Sequence, residues 1–531
     1  MRTSKTDPIA FAEVPCASGV IGVTFCPGKK GPSVFGAPWN RDLDCDLEAM
    51  KDWGASTVLT LVETHELELL KVVAIGKCVS EKGMRWLHAP IVDLDAPDEI
   101  FEQRWSVIGH LVRDDLRNGR RVIVHCRGGR GRAGLIAARL LVEFGSTADD
   151  AMRLVRASRT GAIETKAQEE HVRSVGMVAH DHDLVDRMLG CLFGGAVGDG
   201  FGYAIEFDSL TEIIREHGAD GLAEPVLKQG RLIVSDDTQM TLFTAQAVVQ
   251  TGGLLQNLRR SYLDWYLTQT HDIASARNDG LLHHRALWAR RAPGNTCLSA
   301  LAQGGQGSRK SRINNSKGCG GVMRVAPIAF DLSLSEDIVF EKAAEAAAIT
   351  HGHPSGFLSA GALAVIVHNL LKGVDPMVAV TRPLELLSAE VEGGETLKAL
   401  LDAITTAATD VAQSVNARDC AANMKRLGEG WVGEEALAIA VYSIVVAHNL
   451  TDELECRTTG FKTVVRIASN HSGDSDSTGS IAGQLHGACH GLSQLPWEWI
   501  EPLDVFDAIC DVAQQLTTPY ASPTSSRLVI H

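Results

Sequence analysis

The sequence predicts a multidomain chain in which an α/β domain is followed by an all-α domain. Three observations carry this. The chain has 531 residues, too many for one ordinary hydrophobic core. Residues 1–176 alternate short β-branched runs with segments of helical spacing. Near Met177 the alternation stops, and the chain becomes rich in Ala, Gly and Leu at helical spacing, with few convincing strand patterns. The limits read this way are a first domain over 1–176 and a linker over 177–186, around the polar string His180-Asp181-His182-Asp183. A helical domain over 187–520 and a C-terminal tail over 521–531 follow.

In the first domain, Ser56–Val62 and Arg121–Val124 read as strands, and Ala133–Phe144 has helical spacing. Thr147–Arg156 opens with a helix-capping signal. In the second, Phe340–Ala348 and Leu397–Val415 read as helices. The apolar run Ala436–Ala447 is too short to span a bilayer and reads as a buried helix. No short-period repeat and no low-complexity tract interrupts either region.

Hydrophobic residues make up 45% and charged residues 22%, a globular balance. The net charge of -15 argues against non-specific binding of nucleic acid, while leaving room for a local basic pocket. No membrane partner is expected, and Met1–Pro15 lacks the apolar core of a signal peptide. Twelve cysteines are spread thinly without a Cys-x-x-Cys pair, which fits neither a disulfide framework nor a zinc site. The expectation is a reducing, cytoplasmic location in which most cysteines are small core residues.

Cys126 is set apart by its surroundings, His125-Cys126-Arg127-Gly128-Gly129-Arg130-Gly131-Arg132, between a predicted strand and a predicted helix. Glycines let backbone N–H groups turn inward around an anion, and the helix N-terminus adds positive potential there. Arg132 can grip two phosphate oxygens with its planar fork. The same field favours a thiolate at Cys126. The reading is a phosphate cradle with a nucleophile at its floor. A buried cysteine beside a Gly-rich turn is the plainer alternative, and the strand–loop–helix context weighs against it.

These residues resemble the His-Cys-x5-Arg loop of the protein tyrosine and dual-specificity phosphatases, in particular the cyclin-dependent-kinase-inhibitor-3-like branch. The resemblance runs from about Gly19 to Val172. It includes Pro27-Gly28-Lys29, Arg41-Asp42-Leu43, Pro90-Ile91-Val92-Asp93 and Ala162-Ile163-Glu164-Thr165 with Gln168. It implies a cysteine-phosphatase fold, a phosphorylated substrate and a phosphocysteine intermediate on Cys126. Arg127, Gly128, Gly129, Arg130, Gly131 and Arg132 would surround the phosphate. Asp93 would be the general acid, and Gln168 would position the hydrolytic water. Read from the residues alone, Asp93, Asp95 and Asp98 are three carboxylates in one loop, and Asp98 is the next candidate. One departure is Ala133, where the family usually has Ser or Thr after the loop arginine. That implies slow turnover of the intermediate. It keeps open a module that binds phosphate with little catalysis.

Four further motifs mark the second domain. They are Gly190–Glu206 (GCLFGGAVGDGFGYAIE), Ser235-Asp236-Asp237-Thr238, Lys317–Pro327 (KGCGGVMRVAP) and Gly473-Asp474-Ser475-Asp476-Ser477, followed by Ile481-Ala482-Gly483. Paired carboxylates beside hydroxyls are oxygen-rich and suit hard cations. Each acidic pair could equally be a helix cap, because Ser and Asp cap well. Two such pairs within small-residue helical segments lean towards metal.

In order and together, these motifs resemble the ADP-ribosylglycohydrolase family, which includes the dinitrogenase-reductase-activating glycohydrolases, from Arg187 to about Leu516. The resemblance implies an all-α domain holding two divalent cations, Mg²⁺ or Mn²⁺. Their ligands would be Ser235, Asp236, Asp237, Asp474, Asp476 and Ser477, with serine retaining the oxygen where threonine is common. Glu206 would be the catalytic acidic residue at the substrate edge. Gly318, Gly320 and Gly321 would hold the ADP-ribose, and His351 would contact the ligand. Cys319 replaces the asparagine of some relatives and reads as packing or a weak polar contact. The implied reaction is hydrolysis at the ribose anomeric carbon through an oxocarbenium-like transition state. Its substrate would be an ADP-ribosylated protein or an ADP-ribose-containing small molecule. Together the two halves predict a bifunctional hydrolase.

Overall fold

The β-branched runs pair and the helical segments pack on them in the computed structural model. It describes residues 1–33, 36–178, 182–273, 279–413, 417–450 and 457–517. The described residues divide into two compact units, one up to 178 and one from 182. The predicted C-terminal tail lies outside the described residues.

Among its described residues the first unit has seven strands: β1 (Ala12–Cys16), β2 (Gly19–Phe25), β3 (Lys30–Gly31), β4 (Trp39–Asn40), β5 (Ala55–Thr60), β6 (Arg85–His88) and β7 (Arg121–Cys126). Its helices are α1 (Leu43–Asp52), α2 (Thr64–Leu69), α3 (Ile75–Glu81), α4 (Glu99–Arg117), α5 (Gly131–Glu143), α6 (Ala148–Ser158) and α7 (Lys166–Ser174). Five strands form one sheet in the order β1-β2-β7-β5-β6, and β3 pairs with β4. From β2 to β6 the sheet is parallel, with β1 antiparallel at the edge. Strand β7 is central, and its Val122, Ile123 and Val124 are fully buried. Cys126 therefore emerges at the carboxyl end of the middle strand, opposite Phe25, where open parallel sheets present ligand sites.

Helix α5 starts at Gly131, two residues before the predicted start. The loop glycines and arginines hide the helix signal because they already belong to its N-terminal amides. Thr147 caps α6 as its sequence signal indicates, accepting from the Asp150 amide at 3.2 Å.

The second unit contains α8 (His182–Gly202), α9 (Leu210–His217), α10 (Asp236–Val249), α11 (Leu254–Thr270), α12 (Asn295–Ala302), α13 (Glu336–Ala348), α14 (Pro354–Leu371) and α15 (Pro376–Ala379). There follow α16 (Pro383–Ala389), α17 (Gly394–Ala412), α18 (Ala417–Met424), α19 (Gly433–Leu450), α20 (Arg457–Ser469), α21 (Ser475–His490), α22 (Trp497–Ile500) and α23 (Phe506–Thr517). Among the described residues this unit has isolated bridges and no strand of its own. Helix α8 begins at His182, inside the stretch read as linker, because Asp183 is a first-turn acid that suits a helix start. The run Ala436–Ala447 lies in α19 and is buried throughout. Helix α14 alone among the described helices is long and apolar enough to cross a membrane, and all 18 of its residues are buried within this fold. Ser359, His368 and Asn369 interrupt its apolar run, which is why the sequence does not single it out.

Helices α8 and α21 meet backbone to backbone. An added Cβ at Gly190, Gly194 or Gly198 would fall 2.1–2.4 Å from the carbonyl oxygens of Gly487, Gly483 and Gly479 in turn. At Gly202 it would fall 2.0 Å from the Ser475 oxygen. The glycines recur every fourth residue on both helices, so one bare face meets another. The close contact holds the end of α8 against the start of α21, where the last acidic motif lies.

Candidate active sites

The loop after Cys126 turns on Gly129, whose φ is +68°. A Cβ there would sit 2.4 Å from the Thr24 carbonyl carbon, so the position requires glycine. The fit brings the Gly129 amide to 3.2 Å from Cys126 Sγ. From outside, Lys29 Nζ donates to the Arg127 carbonyl at 3.1 Å and Arg159 Nε to the Gly129 carbonyl at 2.9 Å. With carbonyls held outward, amides are the groups left for an anion inside. Burial pushes the Lys29 ammonium down to about 8, and it rests over the rings of Phe25 and Trp39. Arg127, Gly128 and Arg130 are exposed, whereas Gly129, Gly131 and Arg132 are buried. His125 is buried beside Thr60 Oγ1 at 2.8 Å, and burial pushes its imidazole down to about 3, so it stays neutral.

Arg132 is held by two carboxylates. Its Nη1 and Nη2 donate to Glu66 at 2.5 and 3.0 Å, Nη1 also donates to the Ile91 carbonyl, and Nη2 lies 2.9 Å from Asp93 Oδ1. Burial works to raise the Glu66 carboxyl, but the Arg132 hydrogen bonds and charge outweigh it and hold Glu66 below its usual range. The neighbouring acids are otherwise engaged. Asp98 caps α4 by accepting from the Phe101 amide at 2.8 Å, and Asp95 accepts from the Ala96 amide at 2.8 Å. Asp93, half exposed, is the loop acid set against the arginine. Gln168 is fully buried, accepts from the Glu164 amide at 2.9 Å and donates to the Asp95 carbonyl at 3.3 Å. It thereby ties the 162–165 loop to the acid loop. Glu164 accepts from the Gly131 amide at 2.9 Å, and Ala133 is fully buried in the next turn.

In the second unit six carboxylates, those of Asp199, Glu206, Asp236, Asp237, Asp474 and Asp476, are each at least nine-tenths buried. Asp236 and Asp237 open α10, and Asp474 and Asp476 open α21. Both acidic pairs are helix starts: Ser235 Oγ accepts from the Asp237 amide at 3.2 Å, and Asp474 Oδ1 from the Ser477 amide at 3.3 Å. Asp199 locks α10 in place, accepting from the Ser235 amide at 2.9 Å and from the Thr238 amide and hydroxyl.

Burial, with the Asp476 charge beside it, pushes the Asp199 carboxyl up to about 7. Burial and the charges of Asp476, Asp236 and Asp199 push Glu206 up to about 9. Asp236, Asp237 and Asp474 are pushed well above the usual carboxylate range, first by burial and then by Asp476. Asp237 Oδ2 and Glu206 Oε2 are buried without a hydrogen-bond partner. Among the described residues, the one trio of His, Cys, Asp or Glu ligand atoms lying within 4.8 Å of one another is elsewhere, at His283, His284 and Asp511. No three of the six carboxylates bring one oxygen each within that distance of one another. Their oxygen donors, orphaned atoms and unbalanced charge fit hard divalent cations.

The third motif lies alongside. Gly318 precedes a short turn over Cys319–Gly321, and a Cβ at Gly320 would approach His351 Cε1 to 3.1 Å. Cys319 Sγ donates to Asp474 Oδ2 at 2.7 Å, a direct contact with the acidic set. Gln484 Nε2, from α21, donates to the Met323 carbonyl at 2.8 Å and ties turn to helix. His351 is buried under the turn, bonded to Thr350 Oγ1 at 2.9 Å, and burial pushes it down to about 3.

Residues 180–525 match the family model for ADP-ribosylglycohydrolase, well over half of the chain. The chain belongs to the ADP-ribosylglycohydrolase family. Over 340 residues this part is 26% identical to the ADP-ribosyl-dinitrogen reductase glycohydrolase of Rhodospirillum rubrum, covering 60% of this chain and 91% of that protein. It is 24% identical to the ADP-ribosylarginine hydrolase Tri1 of Pseudomonas putida over 339 residues, or 62% of this chain and 78% of that protein. Residues 40–172 match the model for a Swiss Army Knife protein, DSP-PTPase phosphatase domain. Over 169 residues the chain is 30% identical to cyclin-dependent kinase inhibitor 3 of Rattus norvegicus, covering 31% of this chain and 74% of that protein. A phosphatase domain and a glycohydrolase domain are thus both present, and both families are hydrolases.

Three residues at these sites escaped the sequence reading. Glu66 carries only a capping signal, Glu63 to Glu66, and nothing local ties it to Arg132. Asp199 stands within the first glycohydrolase motif without distinction from its neighbours, and Glu164 within the phosphatase stretch. The pairing of Glu66 with Arg132 has a measurable weight. Glu66→Gln is expected to weaken the phosphatase domain by about 1.5–3 kcal/mol, the value of hydrogen bonds to a charge. Calorimetry of the unfolding transition that inorganic phosphate raises would show it, and an unmoved transition would mean that Asp93 and the Ile91 carbonyl suffice.

Proposed function

We propose that the chain is a bifunctional hydrolase: a cysteine-dependent phosphatase joined to a metal-dependent enzyme that cleaves ADP-ribosyl glycosidic bonds. The observation that carries the second activity is the set of six buried, mutually repelling carboxylates, four at the starts of α10 and α21, with Asp199 in α8 and Glu206 just past it. Such an arrangement is costly unless positive charge balances it. The family generally depends on divalent cations. Ser235, Asp236, Asp237, Asp474, Asp476 and Ser477 would hold two of them, Mg²⁺ or Mn²⁺. When bound, they supply charge that draws ribose hydroxyls and water into place. Their charge would offset the neighbouring carboxylates and return Glu206 to its ionised form, which would take a proton from the attacking water as the bond at the anomeric carbon breaks. The small residues of the Gly318–Gly321 turn would let the diphosphate approach the backbone, and neutral His351 shapes that turn from below. The substrate is an ADP-ribosylated protein, as the relatives' names indicate for them, or an ADP-ribose-containing small molecule.

In the phosphatase domain, Cys126 Sγ attacks phosphorus while Asp93 protonates the departing oxygen. A phosphate entering the cradle competes with Asp93 for Arg132, which frees the acid for the leaving group. Water aligned by Gln168 then breaks the sulfur–phosphorus bond and returns the thiolate. A thiol nucleophile suits a reducing compartment such as the cytoplasm. The test is one purified chain in two assays, phosphate release from an aryl phosphate and ADP-ribose release from a panel of ADP-ribosylated substrates. Failure in both would overturn the reading.

Ala133 sets the pace of the second phosphatase step. A hydroxyl there would stabilise the departing thiolate, and Ser adds one atom to a fully buried position. Ala133→Ser is expected to speed breakdown of the phosphocysteine roughly tenfold or more, from about 1.5–3 kcal/mol of charge-assisted hydrogen bonding. Rapid-quench measurement of the second step decides it, and an unchanged rate would show the hydroxyl to be irrelevant.

A further inference from the structure

Outside both sites, two consecutive histidines face a carboxylate from another element. His283 ends the short turn Gly280–His283, His284 follows it, and Asp511 comes from α23. Asp511 Oδ2 lies 3.1 Å from His284 Nε2 and 3.9 Å from His283 Nε2. The three ligand atoms lie within 4.8 Å of one another. Two ligands at tetrahedral angles on one zinc stand about 3.4 Å apart, from metal–ligand lengths near 2.1 Å. The two measured separations bracket that value.

The supporting bonds prepare these atoms for a cation. His283 Nδ1 is 2.5 Å from the Gly280 carbonyl, which can only accept, so Nδ1 carries the hydrogen. In the neutral ring Nε2 is then a lone pair on the Asp511 side. Gln515 Nε2 donates to Asp511 Oδ1 at 3.0 Å, which turns Oδ2 to the histidines. Ligands oriented by a carbonyl and an amide in this way are what a metal centre requires. His284 is largely buried, whereas His283 is open enough to admit an ion.

We propose that His283, His284 and Asp511 form a second metal site, distinct from the carboxylate cluster, that takes one zinc-class divalent cation. Two imidazoles and one carboxylate favour such borderline ions over Mg²⁺, and leave a fourth position open to water. The cation replaces the proton shared by His284 Nε2 and Asp511 Oδ2, which is released or moves to His284 Nδ1. The bound ion would fasten the turn to α23. The Leu281 amide in that turn donates to Gln246 of α10 at 2.6 Å, so the fastening reaches the helix that opens with Asp236.

The test is native mass spectrometry and thermal unfolding of the intact chain with zinc in the presence of excess Mg²⁺. One zinc should bind and raise the melting temperature. His283→Ala, an exposed change that leaves the His284–Asp511 bond in place, should abolish both effects. Cys126→Ser and Asp474→Asn should retain them, since thiolate and carboxylate sites could also capture zinc. Zinc binding absent from the wild type, unchanged in His283→Ala, or lost in Cys126→Ser or Asp474→Asn would each overturn the proposal.

Discussion

Cys126→Ser is expected to lower phosphate release by roughly 10⁶-fold, the scale seen when a nucleophile is taken from a group that acts as a unit. The serine hydroxyl is not ionised near neutral pH, so the Gly129 amide at 3.2 Å from the present sulfur would face no anionic nucleophile. Arg132, Glu66 and Asp93 keep their mutual contacts, so the cradle itself survives. ADP-ribosyl hydrolysis should be unchanged, because every residue assigned to it belongs to the other unit. Both rates are measured on one preparation. Phosphatase activity persisting in the serine variant would remove Cys126 from the mechanism.

Asp474→Asn is expected to cost the second activity about 100-fold or more, at or beyond the top of the roughly 10–100-fold range typical of groups that merely orient a metal's ligands. Asparagine is as good an N-cap as aspartate, so α21 should keep its start and its bond from the Ser477 amide. The loss would then report charge rather than folding. It should come with a second loss. A cation at a hundred times its dissociation constant stabilises the native state by about 2.7 kcal/mol, and that gain should shrink in the variant. Full activity of the chelator-treated wild type would exclude the metal mechanism.

What the sequence made legible was what lies close along the chain. Strand, cysteine, glycine turn and helix start are consecutive, so the phosphate cradle can be read from a dozen residues. The two acidic pairs are legible for the same reason, and they turn out to be both helix caps and parts of one carboxylate set. The rest depends on distance in sequence. Arg132 meets Glu66 and Asp93 only once α2 and the acid loop fold over the end of the sheet. Asp98 competes with Asp93 on paper and is removed by one capping bond. Asp199 acts on Ser235 and Thr238 across more than thirty residues, and nothing in its Gly-Asp-Gly setting announces that.

The bare contact between α8 and α21 has a mechanical consequence. Where side chains interdigitate, a mutation is absorbed by a change of rotamer. Here Gly198 and Gly479 meet main chain to main chain, with no side chain between them to give way. The two helices act as a ruler of fixed length. One end of it carries Glu206 just past α8, and Asp474 and Asp476 at the head of α21. The outer helices and connecting loops can therefore be remodelled for different targets without retuning these three carboxylates. A single methyl group on the ruler, far along it from any substrate, would throw them out of gauge.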